Sequence, residues 1–170
     1  MKSAVLVVAL LFFSVSAIAQ PQPAPLFSEA ETAAQQEILD AGVKKLTSGQ
    51  PAAAIADNFD KVISFYETKV AGSTTRIYAA RSQVETLLYL LEAANAKTPA
   101  VVVKPTFAYA YFLRGYSLAA LDRNAEAKVS IEKAIAMAPQ NAEFLAELGN
   151  HYARVRNWDT SLATYRTAET

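Results

Sequence analysis

Few side chains in this sequence have types that could do chemistry, and they are far apart. His151 is the only histidine among 170 residues, and there is no cysteine. A lone histidine can act as a general base or bind a metal only with partners, and no H-E-x-x-H or similar spacing surrounds it. We therefore predict no catalytic residues and no metal site.

The residues Ser130 to Lys133 have the S-x-x-K spacing of penicillin-binding serine enzymes. That chemistry also uses K-T-G and S-D-N segments, and neither is present in this sequence. There is also no glycine-rich loop of the kinds that bind nucleotide phosphates, so no cofactor is predicted. These observations predict a protein that is not an enzyme.

The charges are balanced and scattered along the chain. Lysine plus arginine and aspartate plus glutamate each number 16. Proteins that bind nucleic acids usually carry a basic stripe, because neutralising phosphates supplies much of their affinity. We therefore expect a protein or peptide partner and no nucleic-acid partner.

The N-terminal 19 residues have the three parts of a secretory signal peptide. Lys2 is the positive residue, Ala4 to Phe13 are the apolar segment, and Ala17-Ile18-Ala19 is an A-x-A cleavage site. We expect cleavage near Ala19 and a periplasmic location, with an uncleaved anchor as the alternative. The absence of cysteine predicts no bacterial lipid anchor and no disulfide.

Residues 20–27 are rich in proline and predict an extended linker, and helical patterns follow from Ser28 onwards. Ser28 and Glu31 form a capping-box pattern, and the helix they start should end near Thr47, before Gly49 and Pro51. A second helix follows, with apolar residues near a 3.6-residue period. We expect a third, long helix at about residues 76–95 and then an extended connector through the three valines at 101–103.

The C-terminal part of the sequence repeats with a period of 34 residues. Gly115 and Gly149 are separated by that distance, and their neighbours match in size. A small residue in one helix of a pair lets the other helix approach closely, while large apolar residues fill the space around it. The matched pairs are Tyr111 with Leu145, Leu118 with Tyr152, Ala127 with Ser161, Ile131 with Tyr165, and Ala134 with Ala168.

These residues resemble the tetratricopeptide repeat. The second unit carries the family pattern in Leu145, Leu148-Gly149, Tyr152, Ser161, Tyr165 and Ala168. The first unit carries it in Tyr111, Gly115, Leu118, Ala127, Ile131, Ala134 and Pro139, and departs from it at Arg114, where leucine is usual. The resemblance implies an all-α fold: an antiparallel helix-pair, right-handed solenoid of about seven helices after the signal peptide. Residues 105–170 would hold two tandem units, at about 108–141 and 142–170.

The match fades upstream of these two units. Gly42, Gly49 and Ala54 have plausible spacing, but the later aromatic position of the pattern falls on Asn58. We interpret residues 28–104 as a divergent repeat-like pair and a long helix that caps the array, because a single helical repeat cannot bury its apolar face alone.

The resemblance also implies where a partner binds. In this family the first helix of each pair lines a concave face that holds a peptide or a partner's helix. Tyr109, Phe112 and Tyr116 form one stripe on the first such helix, distinct from the packing stripe. Asn150 and Arg154 lie on the equivalent face of the next unit, and resemble polar groups with which some members hold a chain-terminal carboxylate.

Two interpretations of the aromatic stripe remain open at this point. The stripe is either a binding groove or part of the core, packed against Leu87, Leu90 and Leu91 of the preceding helix. The expected function is a non-enzymatic scaffold of the bacterial envelope that binds another protein on the concave face. The alternative is a structural protein that self-associates, as a homodimer, through its last helix.

Overall fold

The computed structural model describes residues 26–169, and over that range the chain is mostly helical. The expected signal peptide, its cleavage site near Ala19 and most of the expected linker lie outside the described residues, as does Thr170. Phe27, which the sequence places in the linker, is buried with its ring edge-on to Tyr66. Phe27, which precedes the first helix, therefore belongs to the folded core.

Seven helices and two short strands make up the described part of the chain, so the predicted number of helices is confirmed and the strands are additional. The elements are α1 (Glu29–Thr47), α2 (residues 51–70), β1 (Arg76–Ala79), α3 (Gln83–Asn95), β2 (Ala100–Val103), α4 (Thr106–Ala120), α5 (Asn124–Met137), α6 (Ala142–Arg154) and α7 (Trp158–Ala168). Within α2, the α-helical stretches Pro51–Ala54 and Asp60–Val70 are joined by the π-helical turn Ile55–Phe59.

Local signals set the ends of α1 and the start of α2. The Ser28 hydroxyl accepts a hydrogen bond from the Glu31 backbone N–H, and the Glu31 carboxylate accepts one from the Ser28 N–H, which confirms the capping box. Gly49 takes a positive φ of 78° after the end of α1, a conformation that costs glycine little. Pro51 is the first residue of α2, where its missing N–H is not needed.

The helices α1 and α2 form an antiparallel pair, although their sequence does not match the residue spacing of the repeat. Lys69 bonds Glu31 near one end of the pair, and Lys45 bonds Asp57 nearer the other. The π-helical turn adds one residue to α2, so the ring that faces Gly42 belongs to Phe59 rather than residue 58. Asn58 also faces α1: its Cβ would lie 2.8 Å from a Cβ built on Gly42, and its side-chain amide donates to the Ile38 carbonyl at 2.9 Å.

The segment between α2 and α4 is a small β-α-β unit, so the expected helix at residues 76–95 is wrong over its first seven residues. The strands β1 and β2 pair in parallel, with Arg76 opposite Ala100 and Ala79 opposite Val103. The helix α3 starts only after Ser82, whose hydroxyl accepts a hydrogen bond from the Glu85 N–H. The valine segment is extended, as expected, and it is held by β1 rather than being a free connector.

The two C-terminal helix pairs have the close contacts that the repeat predicts. A Cβ built on Gly115 would lie 2.7 Å from Ile131 Cγ1, and one built on Gly149 would lie 2.9 Å from the Tyr165 ring. Leu118 and Ile131 are fully buried between α4 and α5. Each glycine therefore allows its helix pair to approach closely, which a larger residue would prevent.

The three helix pairs pack in series around one core. The first helix of each later pair lies against both helices of the pair before it: α4 contacts α1 and α2, and α6 contacts α4 and α5. Tyr66 joins the first two pairs, since its ring stacks on Phe107 at 4.8 Å and meets Phe27 edge-on at the same distance. The β-α-β unit lies at one side of this series, where β1 contacts α4 and α5.

Candidate functional site

A groove of about 370 Å³ lies between α1 and α4, the first helices of two successive pairs. Its floor includes the buried side chains Leu39 and Thr106. Its walls come from three partly buried side chains, Val43, Tyr109 and Leu113. Gln36 and Asp40 are exposed at the rim, and the Gln36 amide donates to the Asp40 carboxylate. The groove therefore combines an apolar floor with polar groups at its edge, the usual character of a site for a partner's side chain.

The structure divides the predicted aromatic stripe into two parts. Phe112 is buried and stacks on Phe144 of α6, with ring centroids 4.7 Å apart. Tyr109 lies edge-on to both rings and borders the groove. Tyr116 is 48% exposed. Phe112 therefore joins the second and third helix pairs, while Leu113, which the sequence analysis did not select, lines the groove beside Tyr109.

The proposed packing of this stripe on Leu87, Leu90 and Leu91 is wrong. These leucines are exposed on α3, which contacts the two strands and no other described element. Pairing of β1 with β2 carries α3 to the side of the helix series, beyond reach of α4.

At the end of the groove, the position of Tyr109 is fixed by a hydrogen bond to a carboxylate. Its hydroxyl donates to the Glu143 carboxylate of α6 at 2.9 Å. Burial raises the pKa of Tyr109, and the hydrogen bond to Glu143 raises it further. The phenol therefore stays neutral at ordinary pH, and its orientation is fixed by the adjacent helix pair.

Asn150 and Arg154 meet at one carboxylate. Both donate to Glu147, each at 2.9 Å, and Glu147 is 7% exposed. The Asn150 oxygen also accepts a hydrogen bond from the Tyr165 hydroxyl of α7. The two residues predicted to hold a partner's carboxylate therefore bind the carboxylate of Glu147, which fixes the positions of their side chains on α6.

A second concavity, of about 650 Å³, lies between α2 and α5 and is crossed by charged groups. Arg114 donates to Asp60 at 2.7 Å and to Ser130 at 2.6 Å. The Tyr111 hydroxyl donates to Glu67, and Lys133 donates to both residues of that pair. The hydrogen bond from Tyr111 lowers the pKa of Glu67. Because each charge faces an opposite one, this network joins the first two helix pairs, and we call it the clamp. Arg114, which occupies the position where the tetratricopeptide pattern has leucine, is one of its members.

Ser130 and His151, the two residues that the sequence analysis considered for catalysis, are buried where helices pack together. Ser130 is 1% exposed and accepts its hydrogen bond from Arg114. His151 is 4% exposed, and burial lowers its pKa. Its Nδ1 atom finds no hydrogen-bond partner among the described residues. Trp158, the first residue of α7, is 63% exposed and is not part of the core.

No protein-family model, curated protein or solved structure matches this chain. Residues 26–169 contain no group of three or more histidine, cysteine or acidic side chains arranged to hold a metal ion. No helix in that same range is long and apolar enough to cross a bilayer.

Proposed function

We propose that the protein is a non-enzymatic scaffold that binds another protein, and that its binding site is the groove between α1 and α4. The observation that carries this proposal is the groove itself, with an apolar floor and a polar rim between two first helices of successive pairs. A partner's amphipathic helix or extended segment would place an apolar side chain between Val43 and Leu113. Such buried anchors supply most of the affinity of helix-in-groove complexes.

We also propose that the helix pairs form a right-handed solenoid of the tetratricopeptide type. Three features support this proposal: the serial packing of pairs, the 34-residue period and the glycine contacts of all three pairs. The leader sequence supports export, so the proposed place of action is the bacterial envelope, most simply the periplasm.

Affinity capture from the native envelope with a crosslinker tests the groove. Wild type is compared with a Val43→Ser/Tyr109→Ala variant, whose side chains are only partly buried. The matched control is Val129→Ser, because Val129 is 55% exposed and borders the second concavity instead. Circular dichroism first confirms that each variant folds.

The groove proposal requires a protein that wild type and the control capture and the groove variant loses. Equal capture by all three chains would place the partner elsewhere. Recovery of the chain alone would favour the second candidate function, self-association. The exposed residues Val155, Trp158 and Leu162 at the α6–α7 end offer one apolar surface for it, and α3 offers another.

A further inference from the structure

The helix α3 presents a row of large apolar side chains to solvent. We call this row the leucine face; its members are Val84, Leu87, Leu88 and Leu91, and they are 42–68% exposed. Soluble monomers seldom leave a contiguous apolar surface of this kind uncovered, and such surfaces usually mark interaction sites. None of residues 26–169 covers the leucine face.

The leucine face lies opposite the side by which α3 is attached. Tyr89 and Ala93 are buried against the strands, and Tyr89 stacks on Tyr78 at 4.9 Å. At 3.6 residues per turn, the side chains at 84, 87, 88 and 91 centre on the opposite side of the helix. α3 is therefore apolar on two sides: one packs on the two strands, and the other is exposed to solvent.

We propose that the leucine face pairs with the leucine face of a second copy of this chain, with the two α3 helices antiparallel. The spacing of the row is self-complementary about a two-fold axis between Leu87 and Leu88. That axis sets Leu87 opposite Leu88 of the partner subunit, and Val84 opposite Leu91 of the partner subunit. One patch thus serves both subunits, as a two-fold interface requires.

The charges beside the leucine face favour the antiparallel arrangement. It brings Glu85 level with an apolar residue, Leu90, and Glu92 level with an uncharged one, Gln83. A parallel pair would set each glutamate beside its own copy, which is destabilising, and would align rather than oppose the helix dipoles. Within each chain, Arg81 pairs with Glu85 at 2.6 Å, and Arg76 lies 3.7 Å from Glu92 in a solvent-exposed pair.

The size of the face sets the expected strength of the dimer. α3 has 13 residues, so the face is about 20 Å long. A stable complex usually buries about 800 Å² per partner, which is more than one face of this helix supplies alone. We therefore expect a dimer whose dissociation constant is in the micromolar range, roughly 1–100 µM.

Sedimentation velocity of the purified protein between roughly 1 and 300 µM tests the proposal, since that range spans the expected dissociation constant. Wild type should change from monomer to dimer. A Leu87→Glu/Leu91→Glu variant should remain a folded monomer throughout, because both side chains are exposed in the chain itself. The matched control, Leu162→Glu on α7, changes another exposed leucine and should dimerise as wild type does.

A wild type that stays monomeric at every concentration overturns the proposal. So does a dimer that only Leu162→Glu disrupts, which would place self-association on α7. Neither result bears on the groove between α1 and α4, so the two proposals fail separately.

Crosslinking tests the orientation, and it is simple because the chain has no cysteine of its own. Val84→Cys and Leu91→Cys proteins are oxidised separately and as a mixture. Disulfides need Cα atoms within about 7 Å, so antiparallel pairing gives a mixed disulfide dimer and little of either homodimer. Efficient disulfide formation by each protein alone would show a parallel pair and overturn the proposed arrangement.

Discussion

Gly42 of α1 lies directly against the ring of Phe59 of α2, so closely that a Cβ built on Gly42 would be 2.5 Å from Phe59 Cε1. The same kind of contact joins Gly149 to Tyr165 in the last helix pair, at 2.9 Å. The first and last pairs are therefore built alike, although only the last shows the expected residue spacing.

Gly42→Ala should destabilise the protein. Replacing a helical glycine by alanine normally stabilises by about 0.5–1 kcal/mol, but here the added methyl would overlap the Phe59 ring, and overpacking typically costs about 1–3 kcal/mol. We expect a net loss of about 1–2 kcal/mol in a urea unfolding curve.

The neighbouring exposed residue provides the reference for Gly42. Ala41→Gly measures the backbone effect alone and should cost about 0.5–1 kcal/mol. If Gly42→Ala were instead more stable than wild type, the close contact with Phe59 would be disproved.

Deleting one residue from the π-helical turn should be better tolerated than deleting one elsewhere in α2. Without the exposed Ala56, the turn can become regular α-helix while Ala54 and Phe59 both stay buried. Without Ser64, the rest of the helix rotates by about 100° and Tyr66 leaves the core, at a cost of about 3–5 kcal/mol.

Thermal unfolding followed by circular dichroism compares the two deletions. The expected order of melting temperature is wild type, then the Ala56 deletion, then the Ser64 deletion. Equal loss in both deletions would mean that the π-helical turn is required by the packing of α1 and α2 rather than accommodated by it.

Two neighbouring residues of the aromatic stripe, Phe112 and Tyr116, should respond differently to truncation. Phe112→Ala removes a ring buried against Phe144 and should cost about 3–5 kcal/mol of folding free energy. Tyr116→Ala changes an exposed side chain and should stay within about 0.5 kcal/mol of wild type. Chemical denaturation measures both, and similar losses would show that Tyr116 is also part of the core.

Arg114→Leu would introduce the residue usual at this position of the tetratricopeptide pattern, yet it should destabilise this chain. Ser130 would lose its hydrogen-bond donor while remaining 1% exposed, which costs about 1–3 kcal/mol. A double-mutant cycle with Ser130→Ala isolates the pair, because the coupling energy should be comparable to the single-variant loss. A coupling near zero would contradict the role assigned to the clamp.

Local signals predicted much of the helical part. The capping box at Ser28, the left-handed Gly49 and the helix start at Pro51 each act within a few residues, so the sequence shows them directly. The 34-residue period also identified both C-terminal helix pairs, because Gly115 and Gly149 each mark a close helix contact. Of the residues in the predicted stripe, Tyr109 borders the groove; Leu113, which also lines it, was not among the predicted residues.

The tertiary structure decided what local patterns leave undetermined. The strands β1 and β2 have four residues each, and their pairing sets side by side positions that are 24 residues apart, such as Arg76 and Ala100. The single extra residue of the π-helical turn hid the first pair from a search at fixed spacing.

The sequence by itself determined most of the helical segments and which residues are apolar enough to be buried. It could not determine which apolar face finds a partner: Phe112 and Leu87 both look like core residues, yet one is 6% exposed and the other 68%. The hydrophobic effect is non-directional and depends on the area that neighbouring elements remove from water. Burial is therefore a property of the assembled elements. Leu87 is exposed because the pairing of β1 with β2 places α3 at the side of the helix series.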